Sequence, residues 1–352
     1  MKSDFPKTSA NVVKEMNRLG RKREPFFFLL DFLIRKPVVV PLKNWNTRLG
    51  VFRFGDFASP GQTFPPPPAT FFFEKNPLPI EAYAAIFEKV KTEILYGNSY
   101  LLNLTQPTPV ASNLTLENIF AESEAPFKLL WENEFVVFSP ERFVRLEGSR
   151  IFAHPMKGTI SAGVENAAEK ILGDYKEKAE HYTIVDLIRN DLNMVAKKVR
   201  VQRFRYLSEV ETHRGKLLQV SSEIAGDLPD NWREKIGDLL FSLLPAGSIS
   251  GAPKQKTIEI ILNAEGYERG YYTGVFGFFD GEMLDSAVCI RFIENQNGKL
   301  VFKSGGGITA LSDLQTEYQE LIDKVYVPIN RNHTHLHRPS AATTLASKSP
   351  GK

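Results

Sequence analysis

Short apolar runs rich in Phe, Leu, Val and Ile come in groups along this chain, with amphipathic stretches set between groups and not after every run. A parallel sheet needs a long crossover, usually helical, between successive strands, so grouped strands point to antiparallel pairing and an α+β fold. Residues 26–54 hold the first group. Residues 99–105, 135–139, 142–146 and 151–153 form the second, 199–210 and 217–228 the third. The fourth is 272–280, 286–294 and 300–303, its last two runs divided by a turn from Asn295 to Gly298. Helical spacing marks 78–96, where Ile80, Tyr83, Ala84, Phe87, Val90 and Leu95 share a face. It also marks a long stretch at 164–195 and shorter ones at 232–243, 256–263 and 313–325. The run Pro65 to Pro68 removes a backbone donor at each position and reads as a loop. This organisation predicts a β-rich N-terminal subdomain over 1–75, a larger region over 76–328, and a disordered polar tail over 329–352.

Composition narrows the class of function. With 352 residues and 42% hydrophobic content the chain can bury a large core. The net charge of +3 is small and the Lys and Arg residues are dispersed, which excludes a nucleic-acid stripe and a polybasic membrane patch and favours a small anionic substrate. The apolar run at 25–34 is too short, and too interrupted by Asp31, to span a bilayer, and the chain start lacks the pattern of a signal peptide. The single cysteine, Cys289, excludes an internal disulfide or a multi-cysteine metal site. A cytoplasmic protein is expected.

Several residues carry possible chemistry. Lys157, within His154-Pro155-Met156-Lys157-Gly158-Thr159, follows a strand and precedes a glycine that lets a ligand approach the backbone. A lysine attacks only as the neutral amine, which burial or a neighbouring cation favours; alone, a turn lysine is an ordinary solvated charge. Glu141, in Ser139-Pro140-Glu141, lies between strands, where a desolvated carboxyl can protonate a leaving hydroxyl; its plain reading is a turn residue paired with Arg142. Glu317 and Glu320 are one turn apart on the last helix, with Lys324 a turn further on. Joined by Glu180 from the long helix they make a hard oxygen donor set for Mg²⁺, against the plain reading of a surface Glu–Lys pair. Ser304-Gly305-Gly306-Gly307-Ile308 lies between a strand and the last helix, where exposed amides can receive an anion; its plain reading is a tight turn. The segment from Pro245 to Lys254 combines close backbone approach with a helix start. Neither glycine segment matches a phosphate-loop or dinucleotide pattern.

Taken in order, Ser139-Pro140-Glu141, Pro155-x-Lys157-Gly158-Thr159, Asp186-Leu187-Ile188-Arg189-Asn190-Asp191, Gly247 to Lys254, Gly305-Gly306-Gly307-Ile308 and Glu317-x-x-Glu320-x-x-x-Lys324 resemble the chorismate-utilising enzymes. Within them the set is most similar to component I of aminodeoxychorismate synthase, over about residues 20 to 328. The resemblance implies two stacked antiparallel β-sheets flanked by helices, a site between the sheets, and a Mg²⁺-dependent reaction. It implies that Lys157 adds to the chorismate ring, that Glu141 protonates the departing 4-hydroxyl, and that ammonia then displaces the lysine to give 4-amino-4-deoxychorismate. It implies Glu180, Glu317 and Glu320 around Mg²⁺, and Thr159, Tyr272, Arg291, Lys324 and the Gly305 and Gly306 amides around the substrate.

The same resemblance separates the relatives. Anthranilate- and isochorismate-forming enzymes usually carry alanine where this chain has Lys157, and alanine forms no adduct. Those products, and a non-catalytic chorismate-binding subunit, are the alternatives. The chain departs from the family in Ile160-Ser161-Ala162-Gly163, in Leu101, where relatives often have Gln or Lys, and in Gln219, where many have His. Leu101 cannot activate water. Cys289 has no setting for glutamine hydrolysis, so a separate glutamine amidotransferase subunit is expected to supply ammonia, with no nucleic-acid or membrane partner.

Overall fold

In the computed structural model, which describes residues 8–60, 63–212 and 215–329, the apolar runs pair into two nine-stranded sheets, every pairing antiparallel. In the first sheet, Arg142–Glu147 pairs with Leu284–Val288, which continues through Val275–Phe279 to Phe26–Leu30 and Val38–Pro41. On its other side lie Arg150–Ala153 and the long Gly215–Asp227, which also holds Met156–Ser161 and Lys197–Thr212. In the second, Leu101–Ser112 pairs with Lys299–Ile308, followed by Phe292–Gln296, Phe135–Ser139, Phe127–Trp131 and Gly50–Phe54. The strands before residue 76 thus enter both sheets. The tail from residue 330 lies outside the described residues.

The sheets stack because alternate residues on each present rings to the other. Phe27 and Phe278 of the first meet Phe52, Phe54 and Trp131 of the second, with Phe27 stacked on Phe52 at 4.8 Å. Burying each such ring contributes about 2–3 kcal/mol relative to exposure. Helices cover the outer faces. Ser9–Arg21, capped by Thr8, buries Val12, Met16 and Leu19 in the core that holds Trp232 and Ile236. Ile80–Leu95 buries Tyr83, Phe87, Val90 and Ile94; Leu95, expected on that face, points outward.

Three expectations change in ways that matter for the site. The run 286–294 is two strands: Leu284–Val288 lies in the first sheet and Phe292–Gln296 in the second, and the chain changes sheet through Arg291, whose φ is 52°. The glycine run is no turn: Lys299–Ile308 is one continuous strand through Gly305, Gly306 and Gly307. A Cβ at Gly305 would lie 2.3 Å from the Leu104 carbonyl, so glycine permits that pairing. The long helix breaks at Asp174, whose side chain accepts from the Glu177 N–H and starts Tyr175–Asn193 afresh after Ala167–Gly173. Also unforeseen were the helices Ser9–Arg21 and Leu116–Glu122 and the strand Phe127–Trp131.

Candidate active site

Two places where the chain changes sheet lie side by side and open the site. Pro140 and Glu141 join Phe135–Ser139 of the second sheet to Arg142–Glu147 of the first, and Cys289 to Arg291 make the reverse passage. The Phe138 N–H donates to the Arg291 carbonyl at 3.1 Å, and the Val288 N–H donates to the Glu141 carbonyl at 3.1 Å, so the two passages are locked together. A cavity of about 940 Å³ lies against them. Its wall includes Glu141, Lys157, Glu180, Tyr272, Arg291, Gly305, Gly306, Glu320 and Lys324 from the expected set. Glu317 stands behind Gly306 and not on the wall. Thr159 lies on its strand opposite Gln219, and its side chain is outside the described part of the structure.

Lys157 is aimed by a β-bulge. The register of Met156–Ser161 against Gly215–Asp227 slips between Met156 and Thr159, and Gly158 takes φ 89° there. The amine comes to 2.6 Å from the Glu180 carboxylate. Burial works to lower its pKa, but the carboxylates of Glu180, Glu320 and Glu177 outweigh burial and the net shift is upward. The amine is therefore held charged, where the proposed chemistry needs it neutral at the moment of attack. The helix that carries Glu180 and the strand that carries Lys157 share an anchor. His181 Nε2 lies 2.7 Å from the Ser222 hydroxyl, and the Ser222 N–H donates to the Pro155 carbonyl at 3.0 Å.

Burial pushes the Glu141 carboxyl pKa up, against the lowering pull of the Ser248 hydroxyl and of Lys324, Arg291 and Lys157. Ser248 donates to Glu141 Oε1 at 3.0 Å. Behind it, Asp191 accepts from the Gly247 N–H at 3.3 Å and pairs with Lys254 at 2.9 Å, so the two motifs around Asp191 and Gly247 brace the acid from behind.

The opposite wall is built for anions. Phe292–Gln296 pairs with Lys299–Ile308 only as far as Lys303, which leaves the edge from Ser304 onward without that neighbour. Lys324 donates to the Gly305 carbonyl at 2.7 Å and pairs with Glu320 at 2.5 Å; burial lowers its pKa. Arg291 has no carboxylate within ion-pair distance among the described residues; its guanidinium sits 5.4 Å from the Tyr326 ring centre. Of the three departures, Leu101 and Gln219 line the cavity and the segment from Ile160 to Gly163 does not.

The carboxylates come in two helical pairs. Glu177, unnoticed in the sequence, lies one turn before Glu180, repeating the spacing of Glu317 and Glu320, and that repeat was the available signal. Its Oε2 is buried without a hydrogen-bond partner among the described residues, and its pKa is raised, chiefly by burial. A Cβ at Gly306 would meet Glu317 Oε2 at 3.2 Å and Glu320 Oε1 at 3.4 Å, so the glycine leaves a cradle onto which both converge. Hard carboxylate oxygens, an orphaned Oε2 and this cradle fit a divalent cation such as Mg²⁺. Among the described residues no three such side chains are gathered tightly enough to hold an ion as they stand.

Comparison with known proteins agrees with this geometry. The pattern of the chorismate binding enzymes matches residues 49–330. A PabA-like protein of Haemophilus influenzae is 51% identical over 92% of this chain and 98% of its own length. Anthranilate synthase component 1 of Archaeoglobus fulgidus is 35% identical over 70% of this chain and 61% of its own length. Aminodeoxychorismate synthase component 1 of Salmonella typhimurium is 34% identical over 69% of this chain and 56% of its own length. The chain thus spans little more than half of each of the last two. The menaquinone-specific isochorismate synthase of Escherichia coli shares the fold, with a TM-score of 0.69 at 17% identity over 91% of this chain and 82% of that one.

Proposed function

The chain belongs to the chorismate-binding enzyme family, and from that membership we propose that it acts as component I of an aminodeoxychorismate synthase, turning chorismate and ammonia into 4-amino-4-deoxychorismate. The observation that carries this reading is Lys157 itself, an amine in the cavity wall beside Glu180 and in the same cavity as the Glu141 carboxyl.

The residues divide the work by charge. Arg291, Lys324 and the open strand edge from Ser304 onward bind the two carboxylates of the substrate. The Lys157 ammonium first leaves its ion pair with Glu180 and gives its proton to solvent in the cavity. The freed nitrogen bonds to the ring as the 4-hydroxyl departs, and Glu141 supplies the proton that lets it leave as water. Ammonia then bonds to the ring, the Lys157 nitrogen is expelled as the neutral amine, and it regains its proton from solvent. Glu177, Glu180, Glu317 and Glu320 would hold Mg²⁺, which when bound supplies positive charge for a substrate carboxylate. Cys289 is fully buried and burial pushes its thiol pKa well up, so it is no glutaminase nucleophile. Ammonia on this reading comes from a separate glutamine amidotransferase or from free ammonium, in a reducing cytoplasm that leads toward para-aminobenzoate and folate.

The 35% identity to an anthranilate synthase component favours a second reading, an ortho-amino product. Chromatography of the products from chorismate, an ammonium salt and Mg²⁺ decides between them. The 4-amino compound is expected; anthranilate or isochorismate in its place overturns the proposal.

A further inference from the structure

We propose that His154 is a positioning residue that returns a proton to Glu141 after each turnover, through one water and the Ser248 hydroxyl. The proposal rests on the acid role given to Glu141 above. A second cavity, of about 20 Å³, lies behind the first; Glu141, Pro155 and Ser248 line both, and His154, Arg142 and Asp191 complete its polar wall. That volume exceeds the roughly 10–15 Å³ one water needs, and a buried water needs about two to four polar partners, which this wall supplies.

His154 faces two ways. Its Nδ1 is buried without a hydrogen-bond partner among the described residues, an arrangement that costs about 1–3 kcal/mol unless a water satisfies it. Its Nε2 points to the outer side, 3.9 Å from Glu223, and the side chain keeps 24% exposure. Arg142 cannot serve in its place, because Asp285 holds it through bonds of 2.8 and 3.1 Å. The charged groups around the imidazole are Arg142, Arg145, Glu223 and Asp285. Burial, with Arg142, lowers the ring's pKa, so it is neutral at neutral pH and carries one proton and one lone pair.

The need follows from the chemistry. Once Glu141 has protonated the leaving hydroxyl it is a carboxylate, and bound substrate covers its cavity side. A proton then enters at His154 Nε2 from solvent, one leaves from Nδ1 to the water, and the water and the Ser248 hydroxyl each pass one on to Glu141 Oε1. The ring is neutral before and after, Glu141 gains the proton it lost, and the ring returns from the Nε2–H to the Nδ1–H tautomer by proton exchange with solvent before the next turnover.

The test uses the full chain with chorismate, ammonium chloride and Mg²⁺, comparing His154→Ala, His154→Gln and Glu141→Gln. Both His154 variants should complete the first turnover normally. Their kcat should then fall about tenfold, with KM for chorismate falling alongside it and kcat/KM unchanged. Added imidazole should restore His154→Ala and leave His154→Gln slow. Steady-state rates within about twofold of the unsubstituted protein would overturn the relay, as would a loss that already appears in the first turnover and ignores imidazole. If Glu141→Gln is inactive while the His154 variants are normal, the relay alone fails; if Glu141→Gln turns over normally, the acid assignment fails with it.

Discussion

The Lys157 amine lies 2.6 Å from the Glu180 carboxylate, within the cavity wall and not out in solvent. This contact fixes where the nitrogen starts and also holds it charged. Lys157→Arg separates the two effects, because a guanidinium keeps the ion pair but does not lose its proton in this pH range. The variant should melt within a few degrees of the unsubstituted protein and lose amination by about two orders of magnitude or more. Retained amination would remove the need for a neutral amine.

On the proposed mechanism Glu141 should set the alkaline side of the pH profile. Its carboxyl is raised by burial, and it serves as an acid only while protonated, so kcat should fall as pH climbs through its raised pKa. Ser248→Ala removes a bond that favours the carboxylate, so that limb should move to higher pH. An unmoved limb would show that another group sets it.

A substitution at Gly306 tests the proposed metal cradle without touching a carboxylate. In Gly306→Ala the new methyl would press on Glu317 Oε2 and Glu320 Oε1 from 3.2 and 3.4 Å. Titration of Mg²⁺ by calorimetry should show affinity lowered by about tenfold or more, as for other changes in the surroundings of metal ligands. Equal affinity would take these two carboxylates out of the metal site.

Away from the site, Lys128 predicts how stability varies with pH. Its ammonium is buried, donates to the Phe120 and Ser123 carbonyls at 2.7 and 3.0 Å, and is pushed down to about 8 from 10.5, mainly by burial. Between those values the unfolded chain binds more protons than the folded one, so stability rises with pH across that window, by an order-of-magnitude 3 kcal/mol. Urea midpoints should show Lys128→Met losing this rise. A parallel pH dependence in both proteins would contradict it.

The grouped strands and the spacing of most helices were legible because alternation and helical period are local properties. Most of what escaped depended on distant contacts. The break at Arg291 interrupts an apolar run with nothing but one positive φ, and the sheet that each half joins is set by strands far away in sequence. The glycines of 305–307 have poor strand propensity, and their place in a strand is explained by the close Leu104 carbonyl at Gly305, the Glu317 and Glu320 side chains at Gly306 and the Leu101 side chain at Gly307. The helix Ser9–Arg21 was readable in the spacing of Val12, Met16 and Leu19. At the site, the ordered motifs located the cavity wall, but their division of labour emerged only from geometry: Asp191 and Gly247 brace Glu141 through Ser248.

The central claim is a covalent bond to one nitrogen, and intact-mass spectrometry of the protein mixed with chorismate and Mg²⁺ in the absence of ammonia tests it most directly. The expected result is a species heavier by chorismate less one water, mapped by peptide analysis to Lys157, discharged by added ammonium and missing from Lys157→Ala. Full formation of 4-amino-4-deoxychorismate by Lys157→Ala, with no adduct on the unsubstituted protein, would contradict it.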